Sequence, residues 1–419
     1  MNLVVDWAGQ CSGYLQGLCR NFPLTSDPTV HLVRRSKLAS PSKLWLARVC
    51  TLRYVYETER VGWVPPVDAP IAILGTAVHA AIEDLLEVDR SVSVDYVQVL
   101  DAHISAVVKK KTDSASVLAF IIQTYGLNAA LSRSLVLRQA KFIRSIVQRF
   151  VLNSTKSRPA ARIAQGESGS AMYGVEQWFE DERRGIAGKV DLWRMTEQSG
   201  IEVVDYKSGR LYSDTGQVKE EYSAQMAAYG YLLESSFAGY PISLRLCSLE
   251  DDYEFTYQQE MRESTIKLLD LLNTTVPMHT NVAANIAATP GQHCTSCIYR
   301  GVCPTYLGKL RDEEVIASSN VDDNSLYDVR GTITEISTVM SNIITLKLTT
   351  PSGATLMLHG VPEMMFGSSE VCKGRELVAF SARSMEYGIL NAKPTNYSFI
   401  DYNLPSRSSF NGYLRVISV

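Results

Sequence analysis

Several things are missing from this sequence, and each absence narrows what the chain does. No apolar stretch reaches the roughly eighteen residues that a membrane helix needs, so no membrane span is expected. The opening MNLVVDWAGQ has no basic cluster, and Asp6 interrupts its short apolar run, which is not the pattern of a secretory leader. Neither sign of charge dominates: 41 Lys and Arg face 44 Asp and Glu, for a formal net charge of -3. No global positive field therefore advertises nucleic acid, and any such binding must come from local patches. No G-x-x-x-x-G-K-[ST] loop occurs, so nothing supports an ATP motor. Cysteine is not scarce. In a chain read as intracellular and cytoplasmic, the eight cysteines point to metal-bound or structural thiols rather than disulfides.

What is present centres on Gly174 to Gly209, which reads as three short strands joined by polar turns. Ile201 to Lys207 is β-branched and aromatic and ends at the turn signal Ser208-Gly209. Side chains alternate faces along a strand, so Asp205 and Lys207 point the same way. Ile186 to Met195 is a second strand, and the turn from Thr196 to Gly200 pairs the two antiparallel. Asp191 is then expected beside Asp205. Two carboxylates in one site repel each other unless a cation neutralises them, and oxygen ligands of this kind suit Mg²⁺ or Mn²⁺.

Helices are expected on either side of this stretch. Ser40 and Pro41 form an N-cap and N1 pair for a helix running to Cys50. Gly75 to about Val88 is a second helix, with His79 on its first turn. Residues 95–163 read as a helical insertion. Within it, Arg133 to Arg162 holds eight Lys or Arg and no acid. Leu135, Val136, Phe142, Ile143, Ile146, Val147 and Phe150 share one side of this helix, and Arg133, Arg138, Lys141, Arg144 and Arg149 share the other. The missing acids favour a phosphate-contacting face over a merely solvated one. Val218 to Leu233 is a helix that places Gln225 and Tyr229 on one face. Strands Ile242–Leu249 and Glu254–Met261 and a helix over Ser264–Leu272 complete an α/β module.

Cys294, Cys297 and Cys303 then fall within ten residues. Core packing explains that density poorly, and Cys50 is the best remote fourth ligand. Four thiolates suit tetrahedral zinc or an iron–sulfur cluster; three together plus one far away favours the cluster. Cys11, Cys19, Cys247 and Cys372 have no such spacing and read as structural. A linker is expected over 309–326, followed over 327–419 by strands alone, which suggest a small OB-like barrel. Such a barrel is a binding module or a scaffold; no dense ladder of aromatic and basic residues marks it as the former. Residues 1–35 carry no assigned role.

From about Ser40 to Pro304 the chain resembles the RecB-like branch of the PD-(D/E)XK nucleases, and within it the iron–sulfur members: the AddB nuclease domain, the CRISPR-adaptation nucleases and the exonuclease V group. The residues that carry the resemblance are GTAVH with His79, GKVDL with Asp191, DYKSG with Asp205 and Lys207, QMAAY with Gln225 and Tyr229, and Cys50 with the C-x2-C-x5-C run. The resemblance implies a restriction-endonuclease-like α/β core over 36–308. It also implies that His79, Asp191, Asp205 and the Tyr206 carbonyl bind Mg²⁺ or Mn²⁺. Lys207 would orient or deprotonate the attacking water, and Gln225 and Tyr229 would position the scissile strand. The four cysteines would hold a [4Fe–4S] cluster. Two departures are visible: Thr51 follows Cys50 where many relatives have proline, and the third motif has Asp205 rather than Glu. The expectation is a metal-dependent DNA nuclease acting on single-stranded DNA, ends or flaps, with a helicase or another protein subunit as a partner. The rival is a non-catalytic nucleic-acid-binding subunit of a larger complex.

Overall fold

A computed structural model describes residues 38–59, 70–87, 94–112, 131–153, 173–196, 198–276, 286, 288–294, 297, 299–300, 303–319, 326–340, 343–362, 371–384, 391–393, 399–401 and 413–415. Residues 1–35, with Cys11 and Cys19, lie outside the described residues, as do 154–163 of the helical insertion and 320–325 of the expected linker. Among the described residues, no helix is long and apolar enough to cross a membrane.

The three strands of the central stretch are β1 (Tyr173–Asp181), β2 (Ile186–Met195) and β3 (Ile201–Tyr206). With β4 (Ile242–Cys247) and β5 (Asp252–Thr256) they form one sheet in the order β1-β2-β3-β4-β5. The β3–β4 pair is parallel and the others are antiparallel. Every residue of β3 is buried. A strand covered on both faces must be apolar throughout or must pair its polar groups, and β3 does the second: Glu202 pairs with Arg194 and Arg245, and Asp205 with Lys207.

Helices supply the two covers. On one face lie α1 (Pro41–Leu44), α2 (Leu46–Val49), α3 (Thr51–Glu59), α7 (Glu220–Ser236) and α8 (Gln259–Thr275), packed on Val190, Trp193, Val203, Leu244 and Leu246. On the other lie α4 (Pro70–Glu87), α5 (Tyr96–Thr112) and α6 (Arg133–Asn153), packed on Leu192, Val204, Tyr206 and Cys247. The alternation of Val203, Val204, Asp205 and Tyr206 between these two layers is the period of a strand made visible.

Three boundaries differ from the sequence-based expectation. The helix expected to run from Pro41 to Cys50 is two short pieces, parted at Trp45 and ended at Cys50, which is extended with φ -163° and ψ 105° before α3 begins. The helix carrying His79 starts at Pro70, a residue suited to a first helical turn, so His79 lies mid-helix. The strand expected over Glu254–Met261 ends at Thr256; Gln258 is extended and α8 begins at Gln259. Gly188 has a packing reason: a Cβ there would come within 2.6 Å of Pro41 Cδ, so glycine lets α1 lie against β2.

The expected linker holds regular structure instead. Residues 309–313 complete α9 (Pro304–Glu313), and Val315–Ser319 is β6, paired antiparallel with β7 (Leu326–Met340). Beyond it, β8 (Ile343–Thr349), β9 (Thr355–Pro362), β10 (Glu376–Ser384), β11 (Asn391–Lys393), β12 (Phe399–Asp401) and β13 (Tyr413–Arg415) make a mainly antiparallel half-barrel sheet. β10 pairs with both β7 and β11, and β11 runs parallel to β9.

One buried charge constellation ties this sheet to the cysteine-bearing segment. Arg300 Nε donates to Asp328 Oδ2 at 2.6 Å and its Nη2 to Oδ1 at 3.2 Å, while Tyr306 Oη donates to Oδ2 at 2.7 Å. The Arg300 guanidinium also lies over the Phe380 ring at 5.4 Å and donates to the Cys297 carbonyl at 2.9 Å. Arg300 is 5% exposed and Asp328 0%, so neither charge has water to fall back on. Removing one partner strands the other. Asp328→Ala is expected to destabilise the chain by about 3–5 kcal/mol, read as a lower urea midpoint. The double replacement Arg300→Met with Asp328→Leu is expected to recover most of that loss, because it removes both buried charges together.

Candidate active site at the parting of two strands

The pairing of β2 with β3 runs from Met195↔Ile201 to Leu192↔Val204 and goes no further. One residue on, the Asp191 carboxylate takes over: its Oδ2 accepts the Tyr206 backbone N–H at 2.8 Å. A side chain thus satisfies a buried donor that the ladder leaves unpaired, and a notch opens at the end of the two strands. Groups from both helical layers reach it.

From the α4 layer comes His79, whose Nδ1 lies 3.4 Å from Asp191 Oδ1 and 3.6 Å from Glu176 Oε1. Its ring sits edge-on to the buried Tyr206 ring, with centroids 6.3 Å apart. From the α7 layer comes Gln225, which bonds to three groups. It donates to Asp205 Oδ1 at 3.0 Å and to Tyr229 Oη at 3.1 Å, and it accepts from Lys207 Nζ at 2.8 Å. Tyr229 Oη donates in turn to the Lys189 carbonyl at 2.9 Å. Gln225 and Tyr229 are both buried, so their side chains orient Asp205, Lys207 and β2 from within. That is a different task from the strand contact that the sequence reading gives them.

The electrostatics follow from this crowding. Burial, with the charge of Asp191 added, pushes the Asp205 carboxyl up to about 6, against the opposing pull of Lys207. Burial works against charge on His79, yet Asp191 and Glu176 outweigh it and push the imidazolium up to about 11. Burial likewise opposes charge on Lys207, but Asp205 raises it above the ordinary lysine value. Asp191 and Asp205 lie close enough to repel each other, and a divalent cation is the natural group to offset that repulsion.

The donor set fits such a cation. His79, Glu176 and Asp191 each offer a ligand atom, all within 4.8 Å of one another. Asp205 stands beside them, its buried Oδ2 2.7 Å from Lys207 Nζ. Carboxylate oxygens with a single imidazole suit Mg²⁺ or Mn²⁺.

Glu176 is the residue that sequence reasoning misses. It stands on β1 with φ 48°, a left-handed backbone unusual for a glutamate, and its Oε2 lies 2.9 Å from Lys189 Nζ. The available signal was its place in the strand preceding GKVDL, directly across from Asp191 once the hairpin register is drawn.

The basic face of α6 is placed otherwise than expected. Arg133 pairs with Asp101 at 2.8 Å, Arg138 with Glu250, and Arg149 with Asp252. The acids that the helix itself lacks come from α5 and from the β4–β5 turn. Lys141 and Arg144 are exposed on the same helix.

The four cysteines gather between the two parts of the chain. Cys50 and Cys297 share one apolar cluster, with Cys303 packed against it. Cys294 and Cys303 pack against another, formed with Tyr306, Leu310 and Phe380. Burial pushes Cys297 up to about 11 and raises Cys303, on which the charges of Cys50 and Cys294 also act. Among the described residues, His79, Glu176 and Asp191 are the one group spaced for a single ion; no cysteine belongs to it.

No curated protein sequence matches this chain. Among solved structures it is similar to the crystal structure of SSO0001, at 15% identity over 56% of this chain and 97% of that one, with a TM-score of 0.26. It is also similar to a structure described as "Structural mimicry for functional antagonism", at 11% identity over 50% of this chain and 80% of that one, with a TM-score of 0.17. Scores this low carry no argument. The family model does: it matches residues 38–304, which hold the whole sheet, the notch and all four clustered cysteines, and the chain belongs to the PD-(D/E)XK nuclease superfamily.

Proposed function

We propose that the chain is a divalent-metal-dependent DNA nuclease of the RecB-like, iron–sulfur branch, acting on single strands, ends or flaps, as an exonuclease rather than an endonuclease. The observation that carries the reading is the convergence of His79, Glu176 and Asp191 on one ligand-sized space, beside Asp205 and Lys207. When bound there, a divalent cation supplies Lewis acidity, which brings hydroxide within reach near neutral pH and screens charge on phosphorus. The residues of the chain do the rest. Asp191 and Glu176 hold the site anionic, and His79 adds a nitrogen donor whose ring is braced by Tyr206. Lys207 directs one of its three N–H donors to Gln225 and another to Asp205, 2.7 Å away, which leaves the third for a phosphate oxygen as charge grows there. Gln225 fixes Asp205 and Lys207 together, so acid and ammonium arrive already oriented.

The same reading assigns Cys50, Cys294, Cys297 and Cys303 to a [4Fe–4S] cluster. Soft thiolates drawn from both sides of an apolar joint suit it. It takes the C-terminal half-barrel as an OB-like unit, because β9 meets β11 in parallel while β10 returns to β7. On α6, Lys141 and Arg144 are the groups left to meet phosphate. A helicase or another protein subunit is the partner class proposed. A non-catalytic binding role is the weaker reading, since acid, lysine and imidazole are all in place.

Three outcomes check this. Lys207→Ala is expected to slow metal-dependent cleavage of an end-labelled single strand by at least roughly a hundredfold, while the parent yields a ladder of short products. Cleavage by the variant at the parent rate would falsify the site. Glu176→Gln is expected to need on the order of ten to a hundred times more Mn²⁺ for half-maximal activity, as measured by titration. Protein purified without oxygen is expected to be brown with bound iron and sulfide, and Cys303→Ala to be colourless; a colourless parent carrying zinc sinks the cluster assignment.

A further inference from the structure

The sheet carries a second feature in line with the acids. Asp205 pairs across with Leu246, and Leu246 with Tyr253, so these three side chains form one row on one face. Tyr253 therefore stands two strands from Asp205, roughly 10 Å away between backbones. It lies on the edge strand β5 and is 39% exposed. Tyr212 meets it edge-on, with ring centroids 6.3 Å apart and planes at 86°. Phe255 backs it at 5.3 Å.

Tyr212 is half-buried, one side of it packed against the core of the sheet. It belongs to the loop that leaves β3 directly after Lys207 and is closed by a backbone bridge between Tyr212 and Val218. The loop also carries cations. Arg210 is mostly exposed, its contact to the exposed Asp214 a loose 3.8 Å. Such a pair holds little and is easily exchanged for a phosphate. Lys219 lies over the Tyr222 ring at 5.3 Å, and Lys207 lies over the same ring at 4.8 Å. The loop that follows Lys207 thus carries both cations and rings. Successive bases of a single strand stack on exposed rings while its phosphates follow the cations.

We propose that Tyr253 and Tyr212 form a base-stacking platform that receives the unpaired bases of a nucleic-acid single strand, with Arg210 and Lys219 holding its phosphates. The proposal rests on the nuclease reading of the adjoining site, and it adds the feature that selects unpaired bases over duplex. The rings are positioning residues: they touch bases, not the scissile phosphate.

The test is equilibrium binding by the full-length protein with metal chelated, so that nothing is cut. Fluorescence anisotropy would follow labelled single strands of DNA and of RNA of one sequence, the same DNA as a blunt duplex, and the same DNA strand made abasic. Tyr253→Ala is expected to weaken binding of at least one of the two base-bearing strands about tenfold, as loss of one stacked base does. It is expected to leave the duplex and the abasic strand unchanged. Tyr253→Trp restores tight binding, which a merely structural role would not do. The DNA and RNA arms show which sugar the platform accepts. If Tyr253→Ala binds every ligand as the parent does, or loses the duplex and the abasic strand equally, the platform is wrong. A small phosphodiester without bases separates the two readings: Tyr253→Ala hydrolyses it at the parent rate and Lys207→Ala does not. A parent that cuts neither this nor any strand overturns the nuclease reading, whatever the binding result.

Discussion

Everything in the site depends on the hydrogen bond from the Tyr206 backbone to the Asp191 carboxylate. Two antiparallel strands that stayed paired would bury both their backbone groups and their acids in a closed ladder. By stopping at Leu192↔Val204, the pair exposes one backbone donor, and an acid from the neighbouring strand satisfies it. The exchange costs the fold no unpaired buried N–H, and it fixes Asp191 where the notch begins. The helices on the two faces then bring an imidazole from one side and an amide from the other.

Burial decides how these groups behave. Asp205 is almost wholly sequestered, so its charge must be matched locally, and Lys207 and Gln225 do this without satisfying every lone pair. The charge of Asp191 adds to the burial of Asp205, and a divalent cation would offset that repulsion. Gathering these acids in one buried place sets them in tension with the stability of the fold. Glu176, held at a positive φ on β1, is a second sign of that tension.

The cysteine-bearing segment plays the corresponding part at the other end of the domain. It lies between the apolar cluster of Cys50 and Cys297 and that of Phe380 and Leu310, and Arg300 clamps it to Asp328 of the half-barrel. Nuclease core and half-barrel therefore share one joint. What orders that segment also orders how the half-barrel is carried.

How much of this was legible in the sequence follows from the range of each interaction. The strands around Asp191 and Asp205, the helix bearing Gln225 and Tyr229, the order of the motifs and the identity of the clustered cysteines are written in local periodicity and spacing, which the sequence determines by itself. The start of the helix at Pro70 and the break at Cys50 were harder to place, because packing overrides local propensity at element ends. What only the tertiary structure decided involves partners far apart along the chain. Arg138 and Arg149 looked free because Glu250 and Asp252 lie about a hundred positions away. Gln225 looked free to touch substrate because Lys207 and Asp205 sit on another element. Glu176 is invisible as a candidate ligand until the β1–β2 register sets it across from Asp191. Charge neutralisation and ligand geometry are set by distances in space, and those are fixed when the sheet and its two helical layers close around the notch.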